Sequence, residues 1–342
     1  MSELVALIAF VACAAAIFVA GGRLSRYGER IGELSGWGSA WVGLILMASV
    51  TSLPELMVGI SSSAIVGSAD LAVGDVLGSC AINLLILASL DMLVPERKRL
   101  LSLASPSHAL AAGLGIVLLA TVGVAMLSGD AMPLTPWIGA SSLLFLGLYV
   151  GSVRLIFRHS RSAPDPGVQA PLDVHLTARD PATAHLTLPQ AVGRYAAVAA
   201  VVVGAALILP PAAEQIARMS GLEESFVGTV FLAVSTSLPE LAVSLAAVRM
   251  GAVDLAVGNL LGSNLFNILI LTVDELVYTK GLLLADASPT QVSTVLTTIA
   301  MSAVVIIGLT YQAGAAKRFV LAGDAALMLA VYGGNAALLL ML

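Results

Sequence analysis

The chain contains one pentapeptide twice, and this repetition constrains the fold more than any other feature. Thr51-Ser-Leu-Pro-Glu55 recurs as Thr236-Ser-Leu-Pro-Glu240, and both copies lie inside long apolar segments. A second match follows, because residues 70–83 align with residues 254–267 and both contain Gly-Ser-x-x-x-Asn. The offset between the copies is 185 residues in the first block and 184 in the second. Two blocks in nearly the same register indicate an internal duplication.

The composition predicts that the duplicated chain lies in a membrane. Of its 342 residues, 58% are hydrophobic and 11% are charged, and the mean hydropathy is +0.99. An ordinary soluble domain has about 25% charged residues. Long apolar segments recur along the whole chain. These features predict an all-α polytopic membrane protein with little soluble mass.

Ten apolar segments are long enough to cross a bilayer by the criterion of about 20 residues. They are residues 4–20, 38–63, 69–91, 106–127, 134–157, 190–212, 223–248, 254–277, 289–312 and 318–341. Five fall in each half, and an odd number forces the second copy to enter the membrane from the opposite side. The prediction is therefore ten transmembrane helices arranged as two inverted five-helix repeats, residues 1–158 and 190–342. Residues 159–189, rich in Pro, Asp, His and Ala, are interpreted as a cytoplasmic linker.

The distribution of positive charge gives an orientation. Fourteen of the 16 Lys and Arg residues fall in loops on one side of the predicted spans, and only Arg218 and Lys280 fall on the other. The richer side is expected to be cytoplasmic, which leaves both termini extracytoplasmic. Residues 4–20 follow no basic n-region, so they are expected to remain as the first span. The Ala- and Gly-rich composition without targeting signals suggests a prokaryotic plasma (inner) membrane.

Glu55 and Glu240 lie near the middle of apolar spans. Placing a carboxylate there costs at least about 2.5 kcal/mol, and no Lys or Arg lies near the middle of any span to pair with it. Pro54 and Pro239 lack a backbone N–H, so each breaks its helix and frees a carbonyl. Each motif then offers carboxylate, hydroxyl and carbonyl oxygens, which Ca²⁺, Mg²⁺ and Na⁺ accept. The alternative is structural: protonated acids beside simple proline kinks.

The second block adds polar side chains at helical spacing. Ser79 and Asn83 are four residues apart and therefore share a helix face, as do Ser263 and Asn267. They are expected to be ligands, or else helix–helix hydrogen-bonding groups beside small residues. The cysteines Cys13 and Cys80 are interpreted as small apolar residues without a metal or disulfide role.

The remaining acids near the spans receive three interpretations. Asp70 and Asp254 precede apolar runs and are expected at helix N-termini. Asp75, whose counterpart is Asn259, fits either a pathway acid or an interfacial residue. The acids near span ends are expected to be solvated, namely Asp91, Asp274 and Glu275.

On these motifs the chain resembles the calcium/cation antiporter superfamily, in particular its sodium/calcium exchanger branch. The resemblance covers both repeats and nearly the whole length. It implies that the two repeats face each other at mid-membrane and form a cluster of cation sites. The implied ligands are Glu55, Glu240, Thr51, Ser52, Ser79, Asn83, Thr236, Ser237, Ser263 and Asn267, with the carbonyls of Ala48 and Ala233. One departure is that exchangers of this type often have Asp where this chain has Asn267.

The resulting expectation is a secondary antiporter, not an enzyme, that exchanges Ca²⁺ for Na⁺. Spans one and six are expected to slide against the repeat core, as the resemblance implies. Exchange of Ca²⁺ for H⁺, or transport of another divalent cation, is the alternative, and a channel is a rival from another class. No nucleotide-binding loop occurs, and no His lies near either motif to support an intramembrane enzyme. The expected partners are inorganic cations and the lipid bilayer, with no cofactor, nucleic acid or obligate protein partner.

Overall fold

A computed structural model describes residues 3–94, 98–130, 132–162, 182–219, 234–311, 321–339 and 341, and these residues are almost entirely helical. The helices are α1 (Glu3–Ser35), α2 (Ser39–Trp41), α3 (Ala48–Thr51), α4 (Leu53–Ile60), α5 (Ala69–Leu90), α6 (Leu100–Leu103), α7 (His108–Leu127), α8 (Ala140–Ser162), α9 (Leu188–Met219), α10 (Leu238–Arg249), α11 (Val253–Val277), α12 (Leu283–Asp286), α13 (Gln291–Thr310) and α14 (Gly323–Leu339). Further elements are π-helical turns at Val42–Met47 and Ser61–Val66, a 3₁₀ turn at Asp91–Leu93, and the strands β1 (Pro133–Thr135) and β2 (Ile138–Gly139), which pair antiparallel.

Eight helical segments of the described chain are long and apolar enough to cross a membrane. They are Leu4–Ser35, Ser39–Val66, Ala69–Leu93, His108–Leu127, Ala140–His159, Leu188–Ala212, Val253–Val277 and Gln291–Thr310. They coincide with eight of the ten predicted spans. The tenth corresponds to α14, which has 17 residues, and the seventh corresponds to α10 and to residues outside the described ranges. The prediction of an all-α polytopic membrane protein is confirmed, whereas ten spans and inverted repeats remain predictions.

The first helix is longer than predicted. The helix α1 has 33 residues, which at about 1.5 Å per residue gives about 50 Å, more than the roughly 30 Å of a hydrocarbon core. Arg23, Arg26 and Arg30, which fall between the first two predicted spans, therefore lie on α1. Helical hydrogen bonding continues past the apolar run because nothing in residues 21–35 breaks it.

The helices on either side of residues 159–189 extend slightly into the predicted linker. The helix α8 runs to Ser162 and α9 begins at Leu188, while residues 163–181 lie outside the described ranges. Just before α9, the Arg30 guanidinium donates hydrogen bonds to the carbonyls of Ala184 and Leu186, at 3.0 and 3.2 Å. Residues 182–187 thus pack against the end of α1, because two of their carbonyls accept hydrogen bonds from the Arg30 guanidinium.

The helices α1 and α9 pack along each other, and both also pack against α10. Ile17 of α1 is buried with Leu209 of α9 and Ala242 of α10. The Ser25 hydroxyl donates a 2.8 Å hydrogen bond to the Val243 carbonyl. The opposite face of α1 exposes large apolar side chains, as expected for contact with lipid: Leu4, Val5, Leu7, Ile8 and Val11.

The helices α5 and α11 are the most deeply buried of the eight. The segment Ser39–Val66 crosses α11 at glycines, where the two backbones touch. A Cβ at Gly262 would overlap the Leu44 carbonyl, and a Cβ at Gly258 would lie 2.6 Å from the Ala40 carbonyl. Close approach at small residues is the usual way in which helices associate within a membrane. This crossing brings the first Thr-Ser-Leu-Pro-Glu motif against α11.

We expect Gly262→Ala to lower the free energy of unfolding by about 1–3 kcal/mol, because the added methyl group overpacks a backbone contact. Thermal unfolding in detergent measures this effect. Gly113→Ala is the matched control, since its Cβ would lie 3.9 Å from the Ile306 side chain, an ordinary contact. Equal stability of the two variants would contradict a tight crossing.

Candidate cation-binding site

Both motifs interrupt their helices at the same serine. Ser52 has φ −88° and ψ 6°, and Ser237 has φ −84° and ψ 4°. A new helix starts at the next residue, with proline in its first turn, where a backbone N–H would have no helical partner. Glu55 and Glu240 consequently lie in the first turns of α4 and α10. The positive end of a helix dipole favours a carboxylate at this position.

The two motifs meet in the interior of the bundle. The Ser52 hydroxyl donates a hydrogen bond to Glu240 Oε1 at 3.2 Å, and the Ser263 hydroxyl donates to the same oxygen at 3.3 Å. The hydroxyl oxygens of Thr51 and Ser263 are 3.4 Å apart. Ser52 belongs to the first half of the chain and Glu240 to the second. The tertiary structure therefore joins the duplicated motifs directly.

Glu55 is fully buried, and neither of its carboxylate oxygens has a hydrogen-bond partner. The Ser79 hydroxyl lies beside it, and Glu240 lies within electrostatic range. Within the described residues, no Lys, Arg or His forms an ion pair with either glutamate. Two carboxylates in such a position repel each other unless a proton or a cation intervenes. The arrangement is that of a site which requires a positive ligand.

The asparagines add amide groups at the crossing of α5 and α11. The Asn83 amide donates to Asn264 Oδ1 at 3.0 Å, and the Asn264 amide donates to the Cys80 carbonyl at 3.2 Å. Asn83 Oδ1 and both polar atoms of Asn267 have no protein partner. These oxygens are thus available to a ligand. Asn264 was missed in the sequence because its counterpart is Cys80, although an amide inside an apolar span was a usable signal.

The other sequence-predicted residues fall into three groups. Ser79 and Ser237 are buried, with hydroxyl oxygens 3.5 Å apart, and Thr236 is fully buried. The Ala48 carbonyl accepts the Ser52 amide at 3.0 Å and the Thr51 hydroxyl at 3.4 Å, and the longer of the two contacts is the one that a ligand would replace. Ala233 lies outside the described residues. The structure therefore brings together eleven of the twelve predicted groups in the buried region around the two motifs.

The expectation for Asp91, Asp274 and Glu275 was wrong, because all three are buried. Segments distant in the sequence cover them: Leu100 and Ala322 contact Asp91, Gly59 of α4 lies against Asp274, and Ser142 of α8 contacts Glu275. Asp91 accepts the Leu100 amide at 2.7 Å and the Ala322 amide at 2.8 Å. Glu275 accepts a hydrogen bond from the Ser142 hydroxyl. Asp274 has no hydrogen-bond partner.

Asp70, Asp254 and Asp75 lie in different surroundings. Asp70 and Asp254 lie in the first turns of α5 and α11, as predicted. Asp254 accepts the Ser105 amide at 2.6 Å and lies 3.0 Å from His108 Nε2. Asp75 is 4% exposed and lies inside the bundle, and both interpretations of its role stay predictions.

The chemistry of the site is that of hard oxygen ligands. Within the described ranges, no three His, Cys, Asp or Glu side chains converge closely enough to hold a metal ion by themselves. The glutamates are instead surrounded by hydroxyl, amide and carbonyl groups. Alkali and alkaline-earth cations accept such mixed oxygen sets.

The fold and this interior site define a polytopic helical membrane protein with a buried acidic cluster. The chain belongs to the sodium/calcium exchanger family, because residues 5–157 and residues 191–341 match the sequence profile described as sodium/calcium exchanger protein. This is a family of secondary transporters.

Individual relatives and one solved structure show how far the similarity extends. The chain is 33% identical to the inner membrane protein YrbG of Escherichia coli K12 over 239 residues, which are 67% of this chain and 66% of YrbG, just under two thirds of its length. It is 46% identical to the sodium/calcium exchanger MaX1 of Methanosarcina acetivorans over 63 residues, 18% of each chain. Its fold resembles the solved sodium-calcium exchanger NCX_Mj soaked with Na⁺ and Sr²⁺, with a TM-score of 0.73, 19% identity, and coverage of 98% of this chain and 99% of that one.

We expect Asn264→Ala to lower the free energy of unfolding by about 2–3 kcal/mol, because it removes two buried hydrogen bonds and leaves the Asn83 amide unpaired. Denaturant or thermal unfolding in detergent measures the change. Asn335→Ala is the control, since that buried side chain has an oxygen without a partner. The same loss in both variants would show that Asn264 does not specifically join α5 and α11.

Proposed function

We propose that the protein is a secondary active antiporter that exchanges Ca²⁺ for Na⁺ at the Glu55–Glu240 site. The observation that carries this proposal is the proximity of two fully buried carboxylates, one from each half, that form no ion pair with any cationic side chain of the described residues. Two negative charges balance one divalent cation. Ca²⁺ takes six to eight oxygen ligands in flexible geometry, which carboxylate, hydroxyl, amide and carbonyl oxygens supply together.

The proposed ligands are the two glutamates and the groups of both repeats that the family resemblance implies as ligands. They are Glu55, Glu240, Thr51, Ser52, Ser79, Asn83, Thr236, Ser237, Ser263 and Asn267, with the carbonyls of Ala48 and Ala233. The hydroxyl-to-carboxylate hydrogen bonds around Glu240 are 3.2–3.3 Å long. Such long contacts are readily exchanged for ion coordination. Na⁺ would occupy overlapping oxygens and displace Ca²⁺ competitively.

Alternating access would come from the pair α1 and α9 moving against the other helices. The two helices pack against each other and against α10, and the outer face of α1 is apolar, as expected for contact with lipid. We further propose ten spans in two inverted repeats, an inner-membrane location and extracytoplasmic termini. The support is the duplicated motifs, the charge distribution, and the similarity to the inner membrane protein YrbG.

A proton is the alternative counter-ion. Glu55 has no hydrogen-bond donor of ordinary length, and a buried carboxylate without a donor is most stable when it is neutral. Exchange of Ca²⁺ for H⁺ would use the same two glutamates as titrating groups. The counter-ion is therefore the part of the proposal that the first experiment must address.

We expect purified protein in liposomes to accumulate radioactive Ca²⁺ when an outward Na⁺ gradient is imposed, and not when only an outward H⁺ gradient is imposed. Uptake driven by H⁺ alone would replace Na⁺ as the counter-ion. Absence of uptake with either gradient, by protein that is folded and inserted, would overturn Ca²⁺ exchange.

We expect Glu55→Gln and Glu240→Gln each to reduce Na⁺-driven Ca²⁺ uptake at least about ten-fold, which corresponds to about 1.4 kcal/mol. Each change removes one of the two charges that balance the ion. Glu33→Gln is the control, because that exposed glutamate pairs with Arg30 near the end of α1. Full uptake by either core variant would show that the site lies elsewhere.

A further inference from the structure

Two buried aspartates remain outside the proposed ligand set. Asp75 of α5 is 4% exposed and Asp274 of α11 is 0% exposed. All four of their carboxylate oxygens lack a hydrogen-bond partner. Their counterparts in the other half are Asn259 and Leu90, so neither acid belongs to the duplicated pattern. They are features of this chain that the symmetric site does not require.

The two aspartates lie on the same side of the central site. Asp75 precedes Ser79 by one helical turn, and Asp274 follows Asn267 by two turns, so each shares a face with a proposed ligand. The helices α5 and α11 run antiparallel, since Asn83 contacts Asn264 while Asp75 lies within electrostatic range of Asp274. The acids are thus displaced in one direction from the central cluster, by about 6–10 Å along the helix axes.

Direct neighbours connect this pair to the central site. The Thr236 hydroxyl lies beside Asp75. Glu55 lies within electrostatic range of Asp75. A cation held by the aspartates would therefore be close enough to the central ion to affect its binding.

The helix α4, which carries Glu55, approaches the two aspartates closely at a glycine. A Cβ at Gly59 would overlap the Asp274 carboxylate, so the glycine lets α4 approach the acid directly. Ser63 lies one turn further along the same face, is 2% exposed, and its hydroxyl has no partner. Its π-helical turn, Ser61–Val66, departs from α-helical hydrogen bonding, as helices frequently do at functional sites.

No protein cation in the described residues balances the two aspartates. Lys280, near the end of this segment, donates hydrogen bonds to the carbonyls of Val66 and Gly67, at 3.5 and 3.0 Å. Neighbouring acids only add negative charge. Two buried carboxylates without donors require a bound positive ligand to remain ionised.

We propose that Asp75 and Asp274, together with the Ser63 hydroxyl, form an accessory site for a divalent cation beside the central site. Two carboxylates balance one divalent ion, and oxygen ligands suit Ca²⁺. The site lies toward the end of the segment that carries Ser61–Val66, on the side where the charge distribution predicts the extracytoplasmic surface. A divalent ion would occupy it before reaching, or after leaving, Glu55 and Glu240. This step rests on the proposed function, because it assumes that the transported ion is divalent.

Equilibrium binding of Ca²⁺ to detergent-purified protein in Na⁺-free buffer tests the accessory site. We expect the wild-type chain to bind two Ca²⁺ ions, and Asp75→Asn and Asp274→Leu to bind one. These substitutions introduce the residue that the other half has at the equivalent position. Glu275→Gln is the matched control, because this neighbouring buried acid already accepts a hydrogen bond from Ser142. It is expected to retain two ions.

A variant that keeps both aspartates tests the accessory site without removing a charge. Gly59→Ala places a methyl group against the Asp274 carboxylate and is expected to weaken the second Ca²⁺ at least about ten-fold. Gly22→Ala is its control, since that Cβ would lie 3.9 Å from Ala246. Size-exclusion profiles and thermal unfolding establish that each variant is folded.

The outcomes separate the two proposals. One bound Ca²⁺ in the wild type, unchanged by Asp75→Asn, Asp274→Leu and Gly59→Ala, would overturn the accessory site and leave the central site intact. Loss of one ion in these variants, with the other lost in Glu55→Gln, would support both sites. Loss of one ion in the aspartate variants, with no loss in Glu55→Gln or Glu240→Gln, would support the accessory site and overturn the central one. Absence of Ca²⁺ binding by folded wild-type protein would overturn both.

Discussion

The structure depends on the burial of two like charges in one place. Glu55 and Glu240 come from opposite halves of the chain, are completely buried, and lie within electrostatic range of each other. The Ser52 hydroxyl of the first motif donates a hydrogen bond to Glu240 of the second. Folding alone gains nothing from bringing two carboxylates together in a medium of low dielectric constant. The arrangement becomes favourable when a cation supplies the opposing charge. The stability of the interior therefore depends on the binding of an ion. This dependence explains why the hydrogen bonds to these two carboxylates are few and long.

Backbone features make this meeting possible. The breaks at Ser52 and Ser237 start new helices whose first turns carry the glutamates, so that each carboxylate lies at the positive end of a helix dipole. Glycine contacts then hold the first motif segment against α11 with no side chain between the backbones. The helices α5 and α11 contribute the serines and asparagines from the other side. The site is thus built from rigid helices at their points of closest approach, and small errors in packing would move several ligands together.

The duplicated halves are not equivalent in their acids. Asp91 and Glu275 occupy corresponding positions, and both accept hydrogen bonds from groups that cover the span ends. Their role is structural. Asp75 and Asp274 have no acidic counterparts and no hydrogen-bond partners. This difference separates acids that hold the fold together from acids that remain free for a ligand, and it gives the two sides of the central site different electrostatic character.

The sequence by itself determined the duplication, the position of most membrane-spanning helices, the helix breaks and the embedded glutamates, because each depends on local chemistry: apolar length, the missing N–H of proline, and an acid in an apolar run. It did not determine the extent of α1, since hydropathy does not mark where helical hydrogen bonding ends. It also gave the wrong environment for Asp274, because what covers the end of a span is decided by distant segments. Only the tertiary structure paired Asn83 with Asn264 and placed Asp75 near Asp274. These contacts arise where antiparallel helices cross, and the angle and depth of a crossing follow from the packing of the whole bundle.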